Sequence, residues 1–273
     1  MSGNLVASMV RSGLYTRVIG KRIRFFQQLT STMDQAHLYA DLCIDEGTVV
    51  IAESQRSSRG RLGRTWISKP GNLYLSVVLY PDEVGLPLIG IIAALAVKKS
   101  IFKNTGVRPD IKWPNDILIN GRKVAGILVE STIIADQIKY AIVGIGINIS
   151  LKQEDLGELV ASATSLDVAL GYEVSRENIL RTLLQELDSF YLGIKSGMSP
   201  IEEWRESLST LSKRVSVDYM GLRVEGIAED IDDLGNLIVK TDSGELVTLT
   251  SGDVTLAKDN IELQLPNIND PTN

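Results

Sequence analysis

The chain has one cysteine, Cys43, and one histidine, His37, in 273 residues. A single cysteine excludes an internal disulfide framework, and Cys43 is expected as a small buried apolar residue. A single histidine excludes HExxH and every other multi-histidine zinc site. A Ser–His–Asp triad would have to use His37 alone, and His37 falls in an expected helix where a structural role is the simpler reading. No GxxxxGK[ST], GxGxxG, CxxC or GxSxG occurs, so a bound nucleotide is held by some other device. No apolar run is long enough to span a bilayer. The best, LPLIGIIAALAV over Leu86–Val97, ends at Lys98-Lys99 and reads as a buried helix. The N-terminal stretch lacks the apolar centre of a secretory signal, so a cytoplasmic location is expected, with no membrane partner. Positive charge is in the minority: 28 Lys and Arg against 34 Asp and Glu leave a net charge of −6. That balance argues against a nucleic-acid partner.

What is present is a pattern of alternating elements. Residues 22–29 read as a strand. Ser31-Thr32 then cap a helix that Gly47 is expected to close. Strands follow at 48–54 and 73–80, and the apolar helix covers 86–103. Ile111 to Trp113 is a short strand interrupted by Pro114. Asn120-Gly121 between apolar runs signals a tight hairpin joining 116–119 to 123–131. A long strand covers 138–149, and Ser175 caps a helix over 176–195. A shorter helix follows Pro200. Beyond residue 211, short strands alternate with turns, which suggests a small barrel of about five strands. The polar end of the chain reads as a flexible tail.

Three segments could carry chemistry. The first is SSRGRLGRTW, residues 57–66. Arg59, Arg61 and Arg64 offer planar forks for phosphate or carboxylate, and Gly60 and Gly63 let the backbone fold back towards a ligand. Such a loop would close on its anion; the alternative is a solvated surface loop. The second is KWPNDI at 112–117 with GRKVAGILVE at 121–130. Lys112 and Lys123 could face one pocket across the hairpin, with Asn115 beside them. Gly126 would let a flat ring rest on bare backbone. Asp116 could hold a metal, orient an amine, or simply pair with a basic side chain. Trp66 and Trp113 could pack a ligand or serve as core. The third is GIGINI at 144–149, where Asn148 offers both a donor and an acceptor.

Together, in this order, these segments resemble the biotin protein ligases. The family pattern runs from an STN-type helix start through GRGRxGRxW, KWPND and GRKxAGILxE to GxGxN. The matching residues are Ser31-Thr32-Met33, Ser58–Trp66, Lys112–Asp116, Gly121–Glu130 and Gly144–Asn148. The resemblance implies an α+β fold: a central mixed sheet with helices (the class II synthetase-like biotin/lipoate ligase fold) and a small C-terminal SH3-like β-barrel. It implies a catalytic domain over 1–210, the barrel over 211–260 and a tail over 261–273. It also implies a two-step reaction. The biotin carboxylate attacks the α-phosphate of ATP, giving biotinyl-5'-AMP, and a lysine of an acceptor domain then takes the biotinyl group. Neither step needs a protein nucleophile, which suits the missing triad. Biotin and ATP are the implied substrates, with Mg²⁺ accompanying the nucleotide and no firm protein ligand for it.

By the same resemblance, Ser31, Thr32, Met33, Gln55, Ser58, Gly60 and Gly126 line the biotin site. Arg59 and Arg61 lie across carboxylate and phosphate. Lys123 bridges the two reacting groups. Arg64, Trp66, Lys112, Asn115 and Asn148 serve ATP, and Asp116 orients the acceptor lysine. Two residues depart from the pattern. Ser58 replaces the usual glycine, which would either stiffen the loop or crowd biotin, and Met33 replaces asparagine. Ala257 cannot supply the arginine that some relatives place near the nucleotide, so the barrel is given no ATP contact. Too little chain precedes the first core strand for the winged helix of the repressor relatives. The implied partner is the biotin acceptor domain of a carboxylase (biotin carboxyl carrier protein), docking on a sheet edge, and a sheet-edge homodimer is compatible with the family. A lipoate-transferring sister enzyme would share the fold but not this pairing of motifs. A biotin sensor without catalysis would be favoured by loss of Lys123 or Arg61, and both are present.

Overall fold

The structure is a computed structural model describing residue 10 and residues 12–256. The expected tail over 261–273 and Ala257 lie outside the described residues. Seven strands form a mixed sheet in the order β1-β2-β3-β7-β6-β5-β4. They are β1 (Ile23–Leu29), β2 (Val49–Gln55), β3 (Leu73–Leu79), β4 (Asp110–Lys112), β5 (Asp116–Ile119), β6 (Arg122–Ile134) and β7 (Gln137–Ile147). β1 and β2 run parallel, joined through helix α1 (Thr32–Asp41); every other neighbouring pair is antiparallel. A parallel pair needs such a crossover, whereas antiparallel strands close through tight turns.

The two faces of this sheet explain the sequence pattern. One carries the main core, where helix α2 (Ile89–Thr105) packs with helix α5 (Arg176–Lys195). On the other, Met33, Ala36 and Ala40 of α1 meet Val50, Val78 and Ile142. Both faces of β3 are covered, so LYLSVVL is buried at every position and does not alternate. Between α2 and α5 lie three helical turns absent from the sequence reading: α3 (Gln153–Leu156), a 3-10 turn (Gly157–Ala161) and α4 (Leu166–Leu170). Helix α6 (Ile201–Ser207) follows Pro200. Asp188 of α5 is buried and accepts from the backbone N–H groups of Arg17, Val18 and Ile19 at 2.7–2.8 Å, tying the chain's early segment to the helix.

Several expectations need correction. Helix α1 stops at Asp41, well before Gly47, because Cys43 turns into the left-handed region with φ 53°. That turn leaves Cys43 exposed rather than buried. Gly47 serves a different purpose: a Cβ there would meet the Val18 carbonyl oxygen at 2.3 Å. The turn between β6 and β7 places Ala135 and Asp136 at positive φ, a hairpin with no Asn-Gly signature. The C-terminal strands β8 (Arg214–Tyr219), β9 (Leu222–Ile231), β10 (Leu237–Thr241), β11 (Leu246–Leu249) and β12 (Asp253–Leu256) form one antiparallel sheet. Its order is β11-β10-β9-β8-β12, and among the described residues no pairing between β11 and β12 closes it into the expected barrel.

Candidate active site

A cleft of about 1060 Å³ opens between the sheet, the arginine–glycine segment and the C-terminal sheet. Its inner end is polar. Ser31 caps α1, its Oγ accepting from Met33 N at 3.2 Å. Thr32 donates to Gln55 Oε1 from both its backbone nitrogen (2.8 Å) and its hydroxyl (3.1 Å). Met33 lies against the sheet beside Gly144, where a Cβ would meet its sulfur at 2.5 Å.

The floor is made of glycine. Gly126 of β6 and Gly146 of β7 are register partners, and the Trp66 ring lies over both. A Cβ on Gly146 would meet the ring at 2.6 Å and one on Gly126 at 3.0 Å. The bare backbone foreseen for a flat ligand therefore already carries a flat side chain. Trp66 Nε1 is buried and has no hydrogen-bond partner among the described residues. Trp113, by contrast, is core: it is buried and its Nε1 donates to Gly235 O at 3.0 Å.

The arginine–glycine segment is a small hairpin. Arg59 and Thr65 bridge, Gly60 N donates to Arg64 O at 2.6 Å, and Trp66 N donates to Ser58 O at 3.2 Å. Leu62 and Gly63 turn the tip at φ 55° and 71°. Non-glycine residues seldom adopt such a φ, so the tip is strained at Leu62. Ser58 is buried, and its hydroxyl is spent inside the hairpin, on Trp66 O at 2.6 Å and Ser68 Oγ at 2.7 Å.

The cations divide into paired and unpaired. Arg59 is committed to Glu130 (2.9 and 3.0 Å) and Asp34. Glu130 also meets His37 Nε2 at 2.8 Å, so the single histidine belongs to this ionic cluster. The Arg59 bond holds the Glu130 carboxyl below the ordinary carboxylate range. Arg64 pairs with Asp253 of β12, which lowers the Asp253 carboxyl and raises the guanidinium. Lys123 Nζ sits 2.6 Å from Asp116 and 5.1 Å from the Trp66 ring centroid. Arg61 and Lys112 form no ion pair among the described residues. Arg61 is half-buried, donates to Asn115 Oδ1 at 3.2 Å, and is pushed below its ordinary value by burial. Asp116 and Asp253 act on Arg61 only through space, and a desolvated cation with no ion pair of its own marks a place for an anion.

The sequence placed Lys112 and Lys123 on strands joined by one turn. In the structure β5 lies between them: Lys112 of β4 faces Asp116, whose other neighbour is Gly126. Both lysines still border the cleft. Asn115 fastens β5 to β6 through Nδ2 to Ile127 O at 2.8 Å, and Asn148 fastens β7 to Thr164 O at 3.0 Å. The sequence reading missed the contribution of the second sheet, for Lys213 and Gly252–Leu256 border the cleft as well. The acidic Asp253 opposite an arginine-rich loop was the available signal.

The mixed sheet, the glycine floor and the arginine hairpin over it define a class, the biotin and lipoate ligases. The model described as the biotin/lipoate A/B protein ligase family matches residues 25–148, and that described as the biotin protein ligase C-terminal domain matches 210–256. The chain is 36% identical over 260 residues to the bifunctional ligase/repressor BirA of Bacillus subtilis, covering 93% of this chain and 80% of that one. It is 34% identical over 218 residues to the biotin–[acetyl-CoA-carboxylase] ligase of Mycobacterium tuberculosis, covering 77% and 79%. In fold it resembles the Aquifex aeolicus biotin protein ligase solved with biotin and ATP (TM-score 0.71, 24% identity, 87% of this chain and 99% of that one). The chain belongs to the biotin protein ligase family.

Proposed function

We propose that this enzyme activates the carboxylate of biotin with ATP and passes the biotinyl group to a lysine of a carboxylase acceptor domain. The observation that carries the reading is the half-buried Arg61, which forms no ion pair among the described residues, set with Lys112 and Lys123 along a cleft whose inner end is neutral and polar. A ureido ring suits the hydroxyls and amide of Ser31, Thr32 and Gln55, and Met33 and Gly126 give it apolar walls. The valerate chain then runs towards Lys123. There a carboxylate oxygen attacks the α-phosphorus, the bond to the β-phosphate oxygen breaks, and pyrophosphate leaves.

Two anions must meet for that step, and positive charge aimed between them lowers the barrier. Lys123 has the position for it once the α-phosphate draws it from Asp116. Arg61 supports the same charge from the hairpin, while Lys112 and Arg64 serve the outer phosphates. Arg59 joins only by leaving Glu130 and Asp34. Asn115 and Asn148 serve the adenylate by holding the strand ends that border it. In the second step the acceptor amine attacks the acyl carbon, AMP departs, and Asp116 takes up or orients the amine proton. Trp66 and the hairpin exclude water from the mixed anhydride meanwhile.

Magnesium enters with ATP as part of that substrate; among the described residues no group of three or more His, Cys, Asp and Glu side chains is gathered to hold a metal. No helix among the described residues is long and apolar enough to cross a membrane. We read residues 1–210 as the catalytic region, 211–260 as the C-terminal module and 261–273 as a tail, in a cytoplasmic protein. The acidic balance favours a protein acceptor over nucleic acid, and the outer strand β1 offers an edge for the acceptor or for a second copy. Biotin-dependent exchange of labelled pyrophosphate into ATP tests the first step, and transfer of labelled biotin to an acceptor domain tests the second. Biotin binding without exchange would refute the catalytic reading.

A further inference from the structure

One directed chain of hydrogen bonds runs from the inner end of the cleft to the neck of the arginine hairpin. Ser76 Oγ donates to Thr32 Oγ1 at 2.8 Å, and Thr32 Oγ1 donates to Gln55 Oε1 at 3.1 Å. Gln55 Nε2 donates to Ser68 Oγ at 2.9 Å. The Ser68 and Ser58 hydroxyls lie 2.7 Å apart, and Ser58 Oγ donates to the Trp66 carbonyl at 2.6 Å. The direction is fixed at both ends. The Thr32 backbone N–H, which can only donate, also points at Gln55 Oε1 and so orients the amide with Nε2 towards Ser68. Ser58 Oγ makes the short bond to the Trp66 carbonyl at 2.6 Å, whereas Ser68 Oγ lies 3.4 Å from that carbonyl and 2.7 Å from Ser58 Oγ, so the shorter pair of bonds has Ser68 supplying the proton between the two hydroxyls. When every member donates onward, each bond polarises the next.

The far end of this chain is where the hairpin would have to open. Ser58 and Trp66 are joined twice, by the hydroxyl bond and by Trp66 N to Ser58 O. Beyond that neck lie Arg61 and the strained tip at Leu62. A glycine at position 58, as in the family pattern, has no hydroxyl to complete the connection.

We propose that Ser58 and Ser68 are positioning residues that couple occupation of the inner cleft to closure of the hairpin. The inference rests on the reading that the biotin ureido group sits at Thr32 and Gln55. A ligand there accepts the second Nε2 proton of Gln55 and fixes its amide plane. A fixed amide holds Ser68, Ser68 holds Ser58, and the neck loses its freedom to part. The carboxylate end of biotin then meets a hairpin already steadied, before ATP arrives. Such coupling needs no new contact at the hairpin itself, only lost mobility along the chain.

Trypsin reads the hairpin directly, because Arg59, Arg61 and Arg64 are cleavage sites within it. Cleavage is followed in the full chain without ATP, with and without saturating biotin, and biotin binding is measured separately by calorimetry. In the wild-type protein biotin slows cleavage in the hairpin. Ser68→Ala, whose side chain does not line the cleft, still binds biotin but loses most of that effect, so its biotin-bound form is cut about 3- to 10-fold faster than the wild type's. Ser58→Ala, at a position that borders the cleft, is compared only at saturating biotin and should lose the protection as well. The ratio of cleavage with and without biotin is the reading that matters, since a merely weakened hairpin is cut faster in both conditions. If Ser58→Ala fails to fold, Ser68→Ala decides alone, because it leaves the Ser58–Trp66 neck bond in place. Equal protection by biotin in variants and wild type overturns the inference and leaves the proposed function standing. Absence of biotin binding by the wild type removes both.

Discussion

Gly146→Ala puts the seating of Trp66 to the sharpest test. The added methyl would sit 2.6 Å from Trp66 Cε2, 2.7 Å from Nε1 and 2.9 Å from Cζ2. Carbon atoms rest at about 3.5–4.0 Å, so the ring must rise by about 1 Å. The sheet gives little, because β7 is hydrogen-bonded on both sides, to β3 and β6. The hairpin yields instead, and overpacking of this kind costs about 1–3 kcal/mol. Because that cost falls on the closed hairpin, kcat/KM for biotin-dependent pyrophosphate exchange should drop between about fivefold and about 150-fold. The melting temperature should change little. Of the three tryptophans, Trp113 and Trp204 are buried, so a change in fluorescence reports Trp66. In a Trp66→Ala background the added methyl should cost nothing further, since there is no ring to displace. Wild-type exchange by Gly146→Ala, or equal losses in the two backgrounds, would refute the seating of the ring as part of the working site.

Lys123→Ala should lower adenylate formation by about 10²- to 10³-fold while leaving a folded protein, as pyrophosphate exchange and circular dichroism would show; near-normal turnover would contradict its role. Asp188→Asn loses the charge that accepts three backbone N–H groups, and urea unfolding should show a loss of about 2–3 kcal/mol. Glu46 supplies a pH prediction. Burial pulls its carboxyl upward, but the Tyr191 hydroxyl, Lys195 and the Tyr80 N–H outweigh burial and hold it below its ordinary value. A carboxyl lowered in the folded state adds stability above its unfolded pKa and loses it as pH falls through the lower folded value. Tyr191→Phe should therefore raise the folded value towards the unfolded one, so that the acid-side loss of stability from this carboxyl becomes smaller and is complete at a higher pH. An unchanged acid limb would show that the Tyr191 bond does not hold the carboxyl down.

Much of this was legible in the residues. Asn120-Gly121 fixed a hairpin that the structure turns at φ 51° and 72°, and Ser175 marked the start of α5, where its Oγ accepts from Asn178 N. Those signals are local, and local geometry decides them. What stayed hidden depends on partners distant in sequence. Arg59 pairs with Glu130, 71 residues away, and nothing in SSRGRLGRTW says which arginine is committed. Trp66 covers glycines on two other strands, so the floor read as open when it was occupied. The β6–β7 turn through Ala135-Asp136 is imposed by the long pairing of its strands, not by its own residues. Barrel closure could not be read from strand spacing, which sets the number of strands but not whether the outer two meet.

The Trp113 indole reaches out of the KWPND segment to Gly235 O, in the turn between β9 and β10 of the C-terminal sheet. The same segment is gripped by Thr210 Oγ1 at Trp113 N and by Ser209 N at Ile111 O. Asn115 and Asp116 follow directly along the chain. The second sheet is thus a jig: it sets the strand end from which Asp116 meets Lys123 and Asn115 meets Arg61, with no hydrogen bond, among the described residues, to any of the four side chains in these bonds. Damage to that sheet would be felt as a misaligned pair of charges at the cleft before it was felt as lost binding surface. A substitution at Gly235, whose φ of 78° disfavours any side chain, would count as damage of that kind.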